Sequence, residues 1–325
     1  MSVTIRDVAQ ASGVHVSTVS RTFSAPHLVN AETRTRVLAA AEQLDYRPNR
    51  AARSLKTGRT NNIGLIVADL ANPFFPPLIK AAQAAARRQD YHLFVADTGE
   101  DPVEEENLVL AFSKQVDGIV LCSPRLSNKA LEKLSEQVSF VLVNRRIRGL
   151  TTVVMDVANG ARAAMEHLVE LGHRRVALVA GPAGSWTSAE IRKAVSEIPG
   201  LDTVVIGPNS PTEEGGIAAA PRVAEAGVTG VLAYNDLVAI GLIEGLEVLG
   251  VDVPGDVSVI GFDDSITGRL HRPKLTTVAM PAGDAGRMAV DLLIQSMSAA
   301  TVLETHLVVR ESTAPPRTSG DRGAT

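Results

Sequence analysis

Over residues 1–47 the apolar positions recur at helical spacing. Ile5, Val8 and Ala9 share one face of a short helix running from Ile5 to Ala11. Thr4 precedes it and Asp7 follows three positions later, a capping box with Asp in place of Glu. Gly13 stands where the helix must stop in a left-handed turn. A second helix over Val16–Phe23 keeps Val19 and Phe23 four apart for a core and leaves Val16, Ser17, Ser20 and Arg21 off it. A third starts at the N-cap Asn30 and runs to about Leu44, with Val37, Leu38, Ala41 and Leu44 inward. Helix, glycine turn and second helix form a helix-turn-helix pattern, whose second member enters a major groove N-terminal end first.

Pro48 breaks this pattern. The stretch from Asn49 to Lys56 forms one more short helix, with Asn49 as its cap. Ala51, Ala52 and Leu55 make an apolar stripe flanked by Arg50, Arg53 and Lys56. It is too short to be stable without a partner or DNA. From residue 62 Val/Ile/Leu runs alternate with Ala-rich amphipathic stretches. Strands are predicted at Ile63–Ala68, His92–Asp97, Gly118–Cys122, Phe140–Val143, Thr152–Met155, Val176–Ala180, Val204–Gly207, Gly230–Ala233 and Val257–Gly261, with helices between them such as Pro77–Asp90, Asn159–Leu171 and Leu237–Leu249. Such alternation predicts parallel doubly wound sheets, covered on both faces and arranged as two lobes. The expected organisation is an all-α head over 1–47, a hinge helix and linker over 48–60, a two-lobed α/β core over 61–313 and a disordered tail over 314–325.

In doubly wound sheets ligands bind beyond the carboxyl ends of the strands. Those ends deliver Asp69 to Phe75, Asp97, Ser123 to Arg125, Asn144 to Arg146, Gly181 to Trp186, Tyr234 to Asp236 and Phe262 to Asp264. Carboxylates, amides and arginines beside an aromatic face suit a polyol such as a sugar. Asp and Asn at these points serve equally well as caps of the following helices.

Charge sharpens the division. Residues 1–60 hold nine Arg/Lys against four Asp/Glu, and the rest hold 23 against 32. A basic head on an acidic body fits a polyanion-binding module, and also a merely solvated basic surface. The single cysteine, Cys122, excludes an internal disulfide and sits in an apolar run as a small core residue. No secretory leader and no long apolar span appear, so a cytoplasmic protein without membrane association is expected. There is no phosphate loop, dinucleotide fingerprint, His-Glu-x-x-His stretch or nucleophile elbow, and the seven histidines lack metal-ligand spacing. Neither an enzyme nor a cofactor is called for.

The runs Thr4-Ile5-Arg6-Asp7-Val8-Ala9, Ser17-Thr18-Val19-Ser20-Arg21, Asp45-Tyr46-Arg47-Pro48-Asn49 through Leu55, Asn72-Pro73-Phe74-Phe75, Leu168 to Arg175, Asn235-Asp236, Val257 to Asp264, Pro273 to Val278 and Arg310-Glu311-Ser312 resemble the LacI family of bacterial regulators, in order and across nearly the whole chain. The resemblance implies a homodimeric regulator, most simply a repressor, on a near-palindromic operator, with a core shaped like periplasmic sugar-binding proteins and controlled by a sugar or sugar phosphate. It implies base reading by Ile5, Arg6, Val16, Ser17 and Arg21, and phosphate contacts by Thr18 and Ser20. In the hinge it places Asn49 and Arg53 at the DNA, and Leu55 as a minor-groove wedge; packing of Leu55 on the head or on its symmetry mate fits the same stripe. Effector contacts carry over to Asn72, Phe74, Asn144, Arg145, Arg192, Asn235 and Asp263, with Phe74 or Trp186 stacking on a ring. Three departures stand out: His15 replaces the usual Ser cap, Asn144 followed by Arg145 and Arg146 makes a more cationic cleft that would suit an acidic or phosphorylated effector, and residues 192–216 are shortened.

Overall fold

The computed structural model describes residues 3–47 and 58–317. The chain divides into two compact units at Thr60/Asn61. The predicted hinge residues Asn49, Arg53 and Leu55 lie outside the described residues.

The first unit is a three-helix head: α1 (Ile5–Ser12), α2 (Val16–Ser24) and α3 (Ala31–Gln43), with a 3-10 turn over Pro26–Leu28. Val8, Ala9, Val19, Val37, Ala40 and Ala41 form its core, flanked by Phe23 and Tyr46 with ring centroids 5.9 Å apart. The Thr4 N–H donates to Asp7 Oδ2 at 2.7 Å, and hydrogen bonds from Thr4 hold the exposed Asp7 carboxyl below its ordinary pKa. Gly13 takes the left-handed turn with φ 64. Leu38, expected inside, is 45% exposed, and Ala40 is buried in its place. The rotation of α3 turns Val37, Ala40 and Ala41 inward and leaves Leu38 outside that stripe.

The second unit contains two six-stranded sheets. β1 (Asn62–Val67), β2 (His92–Asp97), β3 (Gly118–Cys122), β4 (Phe140–Val143) and β5 (Thr151–Met155) belong to the first lobe. β6 (Arg175–Val179), β7 (Asp202–Ile206), β8 (Gly230–Ala233), β9 (Ser258–Asp263) and β10 (Thr276–Ala279) belong to the second. β11 (Ala300–Leu303) then returns to the first lobe and β12 (His306–Val308) to the second. The spatial orders are β11-β5-β4-β3-β1-β2 and β12-β10-β9-β8-β6-β7. Among the described residues all pairings are parallel except β10 with β12. Strand order reverses at β1/β3 and at β6/β8, the topological switch points where such sheets bind ligands.

The helices are α4 (Phe75–Arg88), α5 (Pro102–Phe112), α6 (Asn128–Ser135), α7 (Val157–Glu170), α8 (Trp186–Ser196), α9 (Glu213–Glu225), α10 (Asp236–Val248), α11 (Ile266–Leu270) and α12 (Ala282–Ile294). One apolar layer runs through both lobes, from Leu65 and Met155 to Leu178 and Phe262. Separate layers cover the far faces of each sheet, around Ile119 and Leu142 and around Val231 and Leu246. The chain passes between lobes three times, after β5, after β10 and after β11. Thr305 Oγ1 donates to Asp156 O at 2.8 Å and so ties the first passage to the third. Among the described residues no helix is long and apolar enough to cross a membrane.

The nine predicted strands all form, with end shifts of one or two residues. β10, β11 and β12 carry no strand pattern of their own. They are three or four residues long, and their pairing partners make them strands. The tail, expected to be disordered from Ala314, is fixed through Arg317. His173 bridges Thr229 Oγ1 (2.8 Å) and Ala314 O (3.0 Å), Ser258 Oγ donates to Ala314 O (2.9 Å), and Arg317 pairs with Asp252 and Asp256. Polar composition predicts solvation there; these partners anchor it instead.

Helices α9 and α10 touch backbone to backbone. A Cβ on Gly241 would lie 1.9 Å from Glu213 O, and one on Gly216 2.2 Å from Val238 O. Neither neighbour is a flexible side chain, so the helices themselves would have to separate. Gly241→Ala is therefore expected to cost about 1–3 kcal/mol or more through overpacking. In chemical denaturation its effect should far exceed that of Gly283→Ala, where the added Cβ meets only Ala81 Cβ at 3.9 Å.

Candidate functional site

In the head, His15 caps α2 through Nδ1, which accepts from Ser17 N–H at 3.3 Å and lies 2.9 Å from Ser17 Oγ. The cap is thus made by an imidazole in place of a hydroxyl. Arg6, Ser17 and Arg21 are exposed. Thr18 and Ser20 are half-buried, and Ser20 O accepts from Ser24 Oγ at 2.8 Å. Ile5 and Val16 are partly buried and pack against the head core, so each divides its surface between core and solvent. The exposed side chains capable of bidentate or hydroxyl recognition therefore cluster at the start of α2 and beside it on α1.

In the second unit a cleft gathers loops from the carboxyl ends of strands of both sheets. It is lined by Asn72, Phe74 and Phe75 after β1, Glu100 after β2, Ser123 and Arg125 after β3, and Asn144 after β4. The other lobe contributes Thr187, Pro211, Tyr234, Asn235, Phe262 and Asp263, and Met280 lies at a passage between lobes. Its empty space, including the part open to solvent, is about 430 Å³.

The loops are set by their own hydrogen bonds. Asn72 Oδ1 accepts from Phe74 N–H (2.9 Å), and Asp97 accepts from Leu70 N–H (2.6 Å), which pins the β1–α4 loop to the end of β2. Asn235 is both cap and cleft residue: Oδ1 accepts from Val238 N–H (2.8 Å) and Nδ2 donates to Pro211 O (2.9 Å). Arg125 makes a two-pronged pair with Glu100, with Nη2 to Oε1 at 2.9 Å, and Nη1 donates to Ser123 O at 2.7 Å. Buried Glu105 accepts the Arg125 N–H at 2.7 Å, and burial lifts its pKa. Tyr234 places its hydroxyl 3.0 Å from Ser185 Oγ, and its ring lies on Gly181, where a Cβ would come within 2.4 Å.

Asp263 and Asn144 differ from these. Both have left-handed backbone, with φ 117 and φ 55, conformations that non-glycine residues hold at a cost and that cluster at binding sites. Asn144 is 4% exposed and its Oδ1 has no hydrogen-bond partner. Among the described residues the Asp263 carboxyl makes no hydrogen bond or ion pair; burial, then the charge of Asp236, raise its pKa well above the ordinary value. Asp236 accepts from Ser265 N–H (2.7 Å) and Thr277 Oγ1 (2.6 Å), and burial raises its pKa to about 6.

Asn72, Phe74, Asn144, Asn235 and Asp263 thus meet in one cleft. Three expected residues do not join them. Arg145 turns to Asn128 Oδ1 (2.7 Å) and Leu126 O (3.4 Å). Trp186 packs partly buried against the shared core, and its neighbour Thr187 faces the cleft. Arg192 is exposed, because α8 turns Ser188, Ile191 and Val195 inward. Arg146 is also exposed, so the cleft is not the cationic one that the sequence suggests. Its single arginine, Arg125, follows from the strand-end rule and not from the family resemblance. Glu100 carries no sequence signal, since it is brought in only by pairing with Arg125.

Residues 4–49 match the pattern of bacterial regulatory proteins of the lacI family, and residues 165–313 match a periplasmic binding protein-like domain. The ribose operon repressor of Halalkalibacterium halodurans is 34% identical over 95% of this chain and 97% of its own length. The chain belongs to the LacI family of bacterial regulators. It is also 31% identical to the HTH-type transcriptional repressor PurR of Haemophilus influenzae, over 91% of each chain. The lac repressor dimer bound to operator and the anti-inducer ONPF superimposes with a TM-score of 0.87, at 26% identity over 97% of this chain and 100% of that one. A CelR–cellobiose complex gives 0.68, at 29% identity over 95% and 99%. As a LacI-family member the chain is a DNA-binding transcriptional regulator, with the family's helix-turn-helix head and two-lobed α/β core.

A carboxyl whose pKa is raised by folding stabilises the protein while protonated. For Asp236 that contribution is complete below the ordinary carboxylate range near 4 and is lost as pH rises through about 6, and the raised pKa of Asp263 acts in the same direction. Asp263→Asn removes one of the two charges. It is expected to raise Tm relative to the parent protein at pH 7.5, with the gap closing towards pH 5. Scanning calorimetry at the two pH values checks this, and a parent protein more stable than the variant at pH 7.5 would contradict it.

Proposed function

We propose that this LacI-family regulator represses transcription in the cytoplasm as a homodimer, without enzymatic activity, and that an unphosphorylated sugar in the cleft controls its hold on operator DNA. The observation that carries the reading is one chain pairing a helix whose start presents Ser17 and Arg21 with a cleft where strand ends of two sheets converge. Arg21 would take a guanine edge and Ser17 a neighbouring base, supported by Arg6; Val16 and Ile5 offer apolar contact, and Thr18 and Ser20 lie near phosphates. Asn49, Arg53 and Leu55 would extend the footprint into the minor groove.

The cleft supports a sugar without a phosphate over a phosphorylated one. Glu100 neutralises Arg125, and neither Arg145, Arg146 nor Arg192 lines the cleft. Asn72, Asn144, Asn235 and Asp263 would hold the polar groups of the sugar, with Phe74 against the ring. The relatives include a ribose operon repressor and structures with cellobiose and with ribose. An effector that binds two states of the lobes unequally shifts the equilibrium between them, and operator affinity with it.

Binding-site selection with the purified protein at moderate salt, followed by footprinting with panels of unphosphorylated sugars and sugar phosphates, tests the reading. A near-palindromic site whose occupancy changes with an unphosphorylated sugar is expected. Arg21→Ala should lose about 1–3 kcal/mol of operator binding and relax specificity at one base. Asp263→Ala should still bind the site and lose the response to sugar. Absence of sequence-specific binding, or a response confined to sugar phosphates, would overturn the proposal.

A further inference from the structure

The hydrogen-bond state of the cleft narrows the ligand further, taking the cleft as the effector site proposed above. Most of its polar atoms are already engaged. Asn72 Oδ1 is taken by Phe74 N–H, both side-chain polar atoms of Asn235 are used, Arg125 is held by Glu100 and Ser123 O, and the Tyr234 hydroxyl meets Ser185. Among the groups left without a partner are two acceptors, Asn144 Oδ1 on a side chain 4% exposed and the Asp263 carboxyl, beside the amide NH2 groups of Asn72 and Asn144 and the hydroxyls of Ser123 and Thr187. The two acceptors come from opposite lobes, after β4 and after β9, and line the same cleft.

Charge points the same way. Arg125 and Glu100 pair with each other, and no cation pairs with the Asp263 carboxyl, which lines the cleft together with Phe74, Phe75 and Phe262; a cation placed beside it would favour its ionised form. Arg310 and Arg269 are drawn to the neighbouring Asp264, not to Asp263. A hydroxyl could donate one hydrogen bond to the Asp263 carboxylate and would leave its charge in place. An ammonium group donates three, enough for the carboxylate and the amide oxygen together, and cancels the charge. The aromatic rings add favourable faces for a cation.

We propose that the effector of this cleft is an amino sugar whose protonated amine is held between the Asp263 carboxylate and Asn144 Oδ1. Asn144 and Asp263 are then specificity-determining residues. They select an amine over the hydroxyl of the parent sugar and over its N-acetyl derivative, which has neither the charge nor the three donors.

Isothermal titration of the full-length protein at pH 7 tests this. The probes are glucosamine, galactosamine and mannosamine, each beside its parent hexose and its N-acetyl form, with hypoxanthine and guanine as a separate arm. At least one hexosamine is expected to bind tenfold or more tighter than both its counterparts. Asp263→Asn should abolish that preference, and Asn144→Asp, which adds a second carboxylate, should enlarge it. A circular-dichroism melt of each variant establishes that it is folded, and Asn144→Asp tests the idea independently if Asp263→Asn is not. A neutral hexose that binds as tightly as its amine would overturn the inference and leave the sugar reading standing. Binding of a purine base with no response to any sugar would overturn both.

Discussion

A buried polar group has to find a partner, and the ligand cleft is organised around that requirement. The carboxylates and amides around it are mostly committed: Glu100 to Arg125, Glu105 to the backbone carrying Arg125, Asp236 to Ser265 and Thr277, Asn235 to α10 and Pro211. Beside them Asn144 and Asp263 are held at positive φ. Desolvation of a charge without a partner costs several kcal/mol, and a ligand that supplies the missing donors recovers part of it. The strain and the open acceptors therefore make sense together as preparation for a ligand.

The two lobes contribute unequally but jointly. Asn144 and Arg125 come from the first sheet, Asp263, Asn235 and Tyr234 from the second. A ligand that bridges Asn144 and Asp263 necessarily favours one separation of the lobes over another. The three chain passages, tied through Thr305 and Asp156, make a joint on which such a preference acts. Helices α9 and α10 are closely packed through Gly216 and Gly241.

Much of this is legible in the sequence. Interior parallel strands such as Gly118–Cys122 and Gly230–Ala233 are buried along their whole length, so they read as unbroken apolar runs. The strand-end rule also points at Arg125 and Tyr234 from the residues alone. Where sequence and structure part, the causes are physical. β11 and β12 are only four and three residues long and are not buried in the core, and only their neighbours define them. The family resemblance implies an effector contact at Arg192, but the rotation of α8 is fixed by its buried residues and sends that side chain to solvent. Periodicity places Leu38 inside, but the inward stripe of α3 is Val37, Ala40 and Ala41, one position away. Glu100 is a partner chosen in three dimensions, and no local pattern announces it.

The claim on which the rest turns is that the cleft and the DNA-reading helix share one equilibrium. Linkage makes the coupling reciprocal. The decisive measurement is the affinity of the protein for its controlling amino sugar, taken free and again saturated with selected operator DNA. The account predicts that the two values differ by the same factor by which that sugar changes operator affinity. Equal affinities in the two states, alongside sugar-dependent operator binding, would contradict it.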